Sequence, residues 1–586
     1  MADPTNAQIA DALDELGDLY ELDGAIVHRV VAYRNAARAV REATVSVAAL
    51  AREGKATQLP GIGRTIQDKV LALAQEGAIP AAVRLRARFP PGLLEVMRLP
   101  GLGPRRARRL FEELSIDSLQ SLEAAAREHR IRALRGFGPK AEQRILEAVA
   151  AARAGAAGGG DGSRRVPLHR ALAVAEPLLE ALRAHPAAVR VALAGSARRM
   201  ADTVKDLDIV ASSADPMRLA TAAAGLELVE SAQSPSESGV RLRAHAGLSV
   251  DLRIVSDEQF GNLLQHLTGS KEHNVALRDA AVRRGLHISE YGVLDDSTGT
   301  TRRCSTEQEL YALLGLDYIE PELREGRGEL EAAAHGRLPR LIQEADLRGD
   351  LHCHTTTSDG TASIEEMALA ACECGYEYLA ITDHSASFGF GDEVSAERLA
   401  EHAARVRELS GTPAVGGITL LAGTEVNILP DGSLDYDDDT LAMLDWVVAS
   451  VHTSMRMEAA AMTRRIVRAI SNPLVDCLGH PFGRRIGRRA PYELDFQAVL
   501  DAAAATGTML EINSSPERRD LDDPHARAAA AAGVPLVIDS DAHRTEGFRA
   551  RRFGVATARR AWLEAGAVAN TRPWEQVAAM RPRARR

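Results

Sequence analysis

The run AGAAGGGDGS at residues 154–163 separates two regimes of hydrophobic spacing that no single fold accommodates. Before it, residues 1–153 are rich in Ala, Leu, Glu and Arg, with apolar positions recurring near the 3.6-residue period of packed helices. After it, strand-like runs such as RVALAG and LSVDLRIV alternate with Ala-rich helical stretches. From residue 346 the runs YLAIT, WVVASVH, TMLEIN and PLVID alternate with helical segments, which predicts parallel βα units in a barrel-like α/β domain. A chain of 586 residues, 45% apolar and 26% charged, has material for about three to five globular units.

Composition narrows the partners and the compartment. The opening MADPTNAQIADALDEL is acidic and amphipathic rather than a basic run followed by an apolar one, so no signal peptide is expected. No stretch of ~18 uncharged apolar residues is present to span a membrane. Five scattered cysteines (Cys304, Cys353, Cys372, Cys374, Cys477) fit free thiols in a reducing, cytoplasmic setting. The net charge of −10 does not favour nucleic acid, but local basic surfaces outweigh a global sum.

One pattern recurs in the helical half: LPGIG (59–63), LPGLG (99–103) and LRGFG (134–138), each followed by a helix with basic residues. Gly61, Gly63, Gly101, Gly103, Gly136 and Gly138 allow tight turns. The helix that follows each turn begins with N–H groups free to meet a phosphate. Arg105, Arg106, Arg108, Arg109 and Lys140 add positive charge nearby. These look like helix-hairpin-helix motifs, which grip DNA backbone without reading sequence.

In KDLDIV, Asp206 and Asp208 leave the same face of a strand, and LSVDLRIV offers Asp251 on another. Three such carboxylates repel one another unless cations lie between them, and two Mg²⁺ would suit in-line phosphoryl transfer. Upstream, Gly195 and Ser196 sit at a strand-to-helix turn followed by Arg198 and Arg199, a cradle for a triphosphate. In RGDLHCHTTTSDG (348–360), His352 and His354 share a strand face, Cys353 points away, and Asp359 follows in a loop. His384, Glu425, His452, His480, Asp541 and His543 each follow an apolar run. In a parallel barrel such strand ends converge on one mouth, and imidazole with carboxylate suits Zn, Mn or Fe.

The Gly-Ser turn with its arginines, the Asp-x-Asp strand and the lone Asp strand resemble the X-family DNA polymerases of the polymerase-beta type. The resemblance continues through LQHLTGSKEHNVALRDAAVRRGLHISEYGV (264–293), which is similar to that family's thumb. It implies that Asp206, Asp208 and Asp251 hold Mg²⁺ or Mn²⁺ for catalysis. Thr268, Gly269 and Asn274 would line the incoming nucleotide, and Arg278 would touch the template-side minor groove. His266–Leu267 stand where relatives carry an aromatic pair, which leaves discrimination against ribose open. The helical N-terminus is similar to the family's lyase domain, with Lys69 matching its Schiff-base lysine beside His28, Tyr33 and Arg34. An ordinary helix lysine or phosphate contact is the other reading of Lys69.

The nine later groups resemble the ligand order of the PHP domain: His352, His354, Asp359, His384, Glu425, His452, His480, Asp541 and His543. That resemblance implies a distorted (β/α)7 barrel, up to three Mn²⁺, Zn²⁺ or Fe ions, and retained phosphoester hydrolysis. The whole order is similar to bacterial X-family DNA polymerase, implying short-gap filling in base-excision repair with a Mn²⁺-dependent 3′→5′ exonuclease. Gapped or primer–template DNA and deoxynucleoside triphosphates are then the partners, and a monomer is expected. The expected architecture is multidomain: an all-α helix-hairpin-helix region, an α+β nucleotidyltransferase palm and thumb, and the α/β barrel. Its boundaries are a lyase-like domain 1–90, fingers-like domain 91–153, linker 154–165, palm 166–258, thumb 259–318, connector 319–345 and barrel 346–586. Two alternatives stay open: a purely structural barrel, and a DNA-tethered phosphoesterase with a degenerate palm.

Overall fold

The computed structural model describes residues 3–157, 165–387 and 394–585, so most of the expected 154–165 linker lies outside the described residues. By contacts the chain divides into two units. One comprises residues 1–165, 170–193 and 205–257; the other comprises 166–169, 194–204 and 258–586. No helix among the described residues is long and apolar enough to cross a membrane.

In the first unit, residues 6–157 are helical, and one buried core runs from Ile9 to Val149. The segments expected as separate domains at 1–90 and 91–153 therefore share a core. Helix Asn6–Leu22 packs against Gly103–Leu114, and Arg98 reaches back to Asp18 at 2.7 Å. The three glycine motifs repeat one hydrogen bond, Ile62 N to Leu59 O (3.1 Å), Leu102 N to Leu99 O (3.1 Å) and Phe137 N to Leu134 O (3.0 Å). The first glycine of each motif has φ of 81°, 83° or 87°, a left-handed conformation that glycine adopts without a Cβ clash. Ile62, Leu102 and Phe137 are buried between the glycines and fix each turn to the core. The expected helices follow as Arg64–Glu76, Gly103–Leu114 and Pro139–Ala157.

The same unit holds a five-stranded sheet in the order Ala188–Leu193, Leu207–Ser213, Ser249–Val255, Gly239–Ala244, Val229–Ala232. Leu207–Ser213 and Ser249–Val255 are its parallel pair, with Asp208 directly opposite Asp251. Apolar Leu207, Ile209, Val250 and Leu252 are buried on the opposite face, which fixes the register and turns both aspartates outward.

The second unit contains helices Phe260–Thr268 and Lys271–Val282, a three-stranded sheet and the C-terminal barrel. The segment 319–345, read from sequence as a connector, is packed instead. Ile319, Leu323 and Leu341 lie in one core with Leu277 and Tyr311. Its charges are spent internally: Glu329 meets His273 at 2.7 Å, and Arg324 meets Glu307 at 2.5 Å.

Seven parallel strands then run in sequence order: Gly349–Cys353, Tyr378–Ile381, Thr419–Asn427, Trp446–Ser450, Cys477–Leu478, Met509–Asn513 and Leu536–Asp539. His354 N donates to Ala542 O at 2.8 Å and joins the first stave to the last, so the barrel is nearly closed. Leu351, Tyr378, Leu421, Trp446, Val448, Met509 and Val537 fill one core, with Val577 and Trp574 packed into it. A larger apolar layer packs the helices around the staves.

Candidate functional site

The period of two that fills the barrel with apolar side chains also delivers its polar mouth. Two or four residues beyond a core position on the same strand face stands a polar one. Leu421 leads to Glu425, Val448 to Ser450 and His452, Met509 to Glu511 and Asn513, and Val537 to Asp539 and Asp541. The first strand shifts register between Asp350 and Cys353, and His352 and His354 then stand with ring centroids 5.2 Å apart. Cys353 faces the outer layer, with its thiol 3.3 Å from Ala380 O.

All nine expected ligands converge there. Ligand atoms of His354, Asp359, His384 and His543 lie within 4.8 Å of one another, as do those of His352, His354 and Asp541, and those of His384, Glu425 and His452. His480 joins through Nε2, 2.9 Å from Glu425 Oε1. The floor of the site is buried, with His352 and His354 0% exposed and Glu425 1%, while Asp359 and His543 reach the surface. His352 Nε2 and Glu425 Oε2 have no aligned hydrogen-bond partner although only 3.5 Å separates them, which suits a cation between them. The donor set of imidazole and carboxylate therefore fits transition-metal ions.

Electrostatics sort these groups. Burial would raise the Glu425 and Asp541 carboxyls, but surrounding imidazoles hold both well below the usual range. Burial and neighbouring histidines lower His354 to about 4. Burial also lowers His480, with Arg518 adding to the effect, to about 3, so both imidazoles are neutral and able to ligate. Burial opposes a charge on His543, but its contact with Asp359 outweighs this and raises it to about 9.

Sequence reasoning missed the residues that orient the ligands. Glu511 Oε1 lies 2.7 Å from His352 Nδ1, and Glu511 Oε2 accepts from His480 N at 2.5 Å. Asn513 Nδ2 donates to Asp541 Oδ2 at 3.1 Å, and Arg518 Nε lies 3.4 Å from the same oxygen. Asp383, next to His384, accepts from Thr355 N at 2.8 Å and from Ser358 Oγ at 2.6 Å, fixing the loop that carries Asp359. A charged residue inside an apolar strand at the mouth's parity was the available signal for Glu511.

The other expected sites are built differently. Asp208 and Asp251 are half-buried register partners, and Asp206 is exposed just before the strand. Arg241, opposite Asp251 on the next strand, lies 3.7 Å from its Oδ2 and was not anticipated. Among the described residues, every group of three ligand atoms within 4.8 Å lies in the barrel, so Asp208 and Asp251 share a sheet face without closing on a point with Asp206. A row of carboxylates on one face still fits hard cations that take most of their ligands from water and phosphate.

In the second unit the nucleotide candidates meet one another. Gly195 and Ser196 begin the short helix Gly195–Arg198. Arg198 donates to Thr268 Oγ1 at 2.7 Å and grips Glu307 through both nitrogens, at 3.0 and 2.6 Å. Arg199 donates to Thr268 O at 2.6 Å and pairs with Glu325 at 3.1 Å. Both guanidiniums are thus structural ties, where the sequence suggested cradle arms. Gly269 has φ of 67°, and a Cβ there would stand 3.2 Å from Arg199 Nη1. Asn274 donates to His266 O at 2.8 Å, and exposed Arg278 lies 3.4 Å from the His266 ring.

Among the hairpin candidates, Arg106 caps Gly101 O at 2.8 Å, Arg108 pairs with Glu112 at 2.8 Å, and Arg109 pairs with Glu113. Arg105 and Lys140 stay exposed. Lys69 is half-buried on helix Arg64–Glu76. Of its expected neighbours, Tyr33 stacks on Tyr20 with centroids 5.4 Å apart, and Arg34 pairs with Asp18 and Glu21.

Comparison with known proteins gives the same order of parts. The chain matches a helix-hairpin-helix domain over residues 4–79 and a SAM-like helix-hairpin-helix tandem over 93–151. It matches the DNA polymerase beta thumb over 263–325 and the PHP domain over 350–515. A probable phosphatase of Thermoanaerobacter sp. (strain X514) is 34% identical over 206 residues, covering 33% of this chain and 78% of the relative. One from Shewanella oneidensis is 33% identical over 204 residues, covering 33% and 75%. The DNA polymerase/3′-5′ exonuclease PolX of Bacillus subtilis is 37% identical over 569 residues, 97% of each chain. With that extent of likeness, the chain belongs to the PolX family of bacterial DNA polymerases/3′-5′ exonucleases.

Proposed function

We propose that this protein extends a DNA primer by template-directed addition of deoxynucleotides, filling short gaps during base-excision repair. Its barrel trims 3′ ends as a Mn²⁺-dependent 3′→5′ exonuclease. The observation that carries this reading is the coexistence of two distinct ligand sets in one chain. One is the register pair Asp208–Asp251 with Asp206 preceding it; the other is the closed group of nine around His352 and Glu425. Divalent cations, Mg²⁺ or Mn²⁺ on the aspartates and up to three Mn²⁺, Zn²⁺ or Fe ions in the barrel, supply Lewis-acid activation and neutralise charge at phosphorus.

The chain's own groups do the rest. Glu511 holds the tautomer and tilt of His352, and Asn513 with Arg518 holds Asp541, as outer partners do for metal ligands. On the synthetic side, Gly195 and Ser196 present backbone donors to the triphosphate, while Thr268, Gly269 and Asn274 shape the nucleotide pocket. The hairpins at Gly61–Gly63, Gly101–Gly103 and Gly136–Gly138, with Arg105, Lys140 and Arg278, grip the DNA backbone, so binding to gapped duplex falls steeply with salt. Lys69 is the candidate for Schiff-base removal of a 5′-deoxyribose phosphate, and borohydride trapping on an incised abasic duplex tests it. The protein works as a cytoplasmic monomer.

The deciding experiment incubates gapped duplex with the four deoxynucleotides, in Mg²⁺ and separately in Mn²⁺, following extension and trimming together. Extension lost in Asp208→Ala with trimming retained, and the reverse in His352→Ala/His354→Ala, supports the reading. Trimming unchanged in the histidine variant reduces the barrel to a structural part. The similarity to probable phosphatases favours removal of a 3′-terminal phosphate as a second reaction of the barrel.

A further inference from the structure

The turn Gly195–Asp202 is tied to the barrel at four points. Arg519 is 1% exposed, and its Nη1 donates to Met200 O at 2.9 Å and pairs with Asp202 Oδ1 at 3.1 Å. Arg484 Nη1 meets Asp202 Oδ2 at 2.9 Å. Arg560, 7% exposed, donates through Nη1 to Arg199 O at 2.8 Å and to Glu325 at 2.7 Å, and Glu325 holds the Arg199 side chain. Met200 has φ of 55°, so its carbonyl is turned out of the short helix toward Arg519.

Burying a guanidinium costs several kcal/mol unless it is paired and hydrogen-bonded. Arg519 spends one contact on its own barrel, Nε to Thr557 Oγ1 at 3.1 Å, and Arg560 spends one on Asp523 at 3.4 Å. Their remaining recorded contacts go to the turn or to Glu325. The other side of the turn is pinned by Arg198 and Arg199 to Thr268. The segment is therefore clamped between the barrel and the helix that ends in the Thr268–Gly269 corner.

We infer that Arg484, Arg519 and Arg560 are positioning residues for nucleotide addition, holding the Gly195–Asp202 turn at a fixed distance from Thr268 and Gly269. The barrel thus has a second task that involves none of its nine ligands. The inference rests on the nucleotide-binding reading of the turn given above. A turn whose carbonyls lose these donors drifts, and displacements near 1 Å at a binding site cost up to about a hundredfold in rate.

The test uses the full chain, with deoxynucleotide concentration varied on gapped duplex and trimming of a single-stranded primer measured in parallel. Arg519 adjoins Arg518, which touches Asp541, so the variants are Asp202→Asn, Arg560→Ala and Arg560→Lys. Asp202→Asn and Arg560→Ala are expected to raise the nucleotide KM about tenfold. Their trimming rates should stay within about twofold of wild type, and Arg560→Lys, which keeps a donor, should recover half or more of the loss. If the wild type adds no nucleotide, the polymerase reading itself fails. If the wild type adds nucleotide but the variants keep its KM, the positioning role is overturned. An equal fall in addition and trimming would overturn it as well.

Discussion

The barrel mouth and the carboxylates of the five-stranded sheet are both candidate metal-ligand sets, yet they are opposite in construction. The barrel brings together nine side chains from six of its seven staves, buries most of them while Asp359 stays exposed, and orients them with Glu511, Asn513 and Asp383. The sheet offers two half-buried aspartates on one face, Asp208 and Asp251, with exposed Asp206 just before the strand and Arg241 competing for Asp251. A site that is closed by its own protein binds cations before substrate arrives. A site that is an open row takes its remaining ligands from the substrate's phosphates, which ties its metal occupancy to nucleotide.

The strongest challenge to that contrast is to remove one ligand set at a time. Asp208→Ala should cost at least about a thousandfold in extension, and His352→Ala/His354→Ala the same in trimming, each sparing the other reaction, since bound cations contribute several kcal/mol. Equal losses in both reactions would contradict two separate ligand sets.

Next in size is Glu307, which anchors Arg198 and Arg324. Burial would raise its carboxyl, but the two guanidiniums lower it to about 2. A carboxyl depressed in the fold stabilises above its ordinary value of 4.5, and that contribution, roughly 3 kcal/mol, is lost as pH falls from 4.5 toward 2. Glu307→Gln should destabilise the second unit by about 3–5 kcal/mol near neutral pH and flatten that acid slope, as measured by denaturant unfolding at several pH values. A variant with unchanged slope would show the pair to be idle.

Glu511→Gln should weaken barrel metal affinity by about ten- to a hundredfold while leaving extension alone. Unchanged affinity would remove Glu511 from the site's construction. The smallest effect expected is Gly479→Ala. A Cβ there would lie 2.4 Å from Ser450 Oγ and 2.7 Å from Val448 Cγ1, and such overpacking costs about 1–3 kcal/mol, read from the thermal midpoint.

Most of the barrel's candidate ligands were legible in sequence because they end apolar runs, and strand periodicity carries such residues to one mouth, whereas Asp359 follows in a loop. That Asp208 and Asp251 each sit in an apolar strand was legible too, but their pairing depends on a sheet register that only the fold supplies. What escaped were residues whose role depends on a distant partner. Glu511 reads as one charge in a strand until His352 faces it from 159 positions away. Segment 319–345 reads as a connector because its charges are answered by Arg199, His273 and Glu307 elsewhere in the chain. Arg198 and Arg199 looked like phosphate ligands, since nothing local reveals that Glu307 and Glu325 already hold them.

Titration of the full-length protein with Mn²⁺ in the absence of DNA and nucleotide tests the contrast most directly. The account predicts tight binding that persists in Asp208→Ala and is lost in His352→Ala/His354→Ala. Binding that survives in the histidine variant, or that vanishes with Asp208, would contradict it.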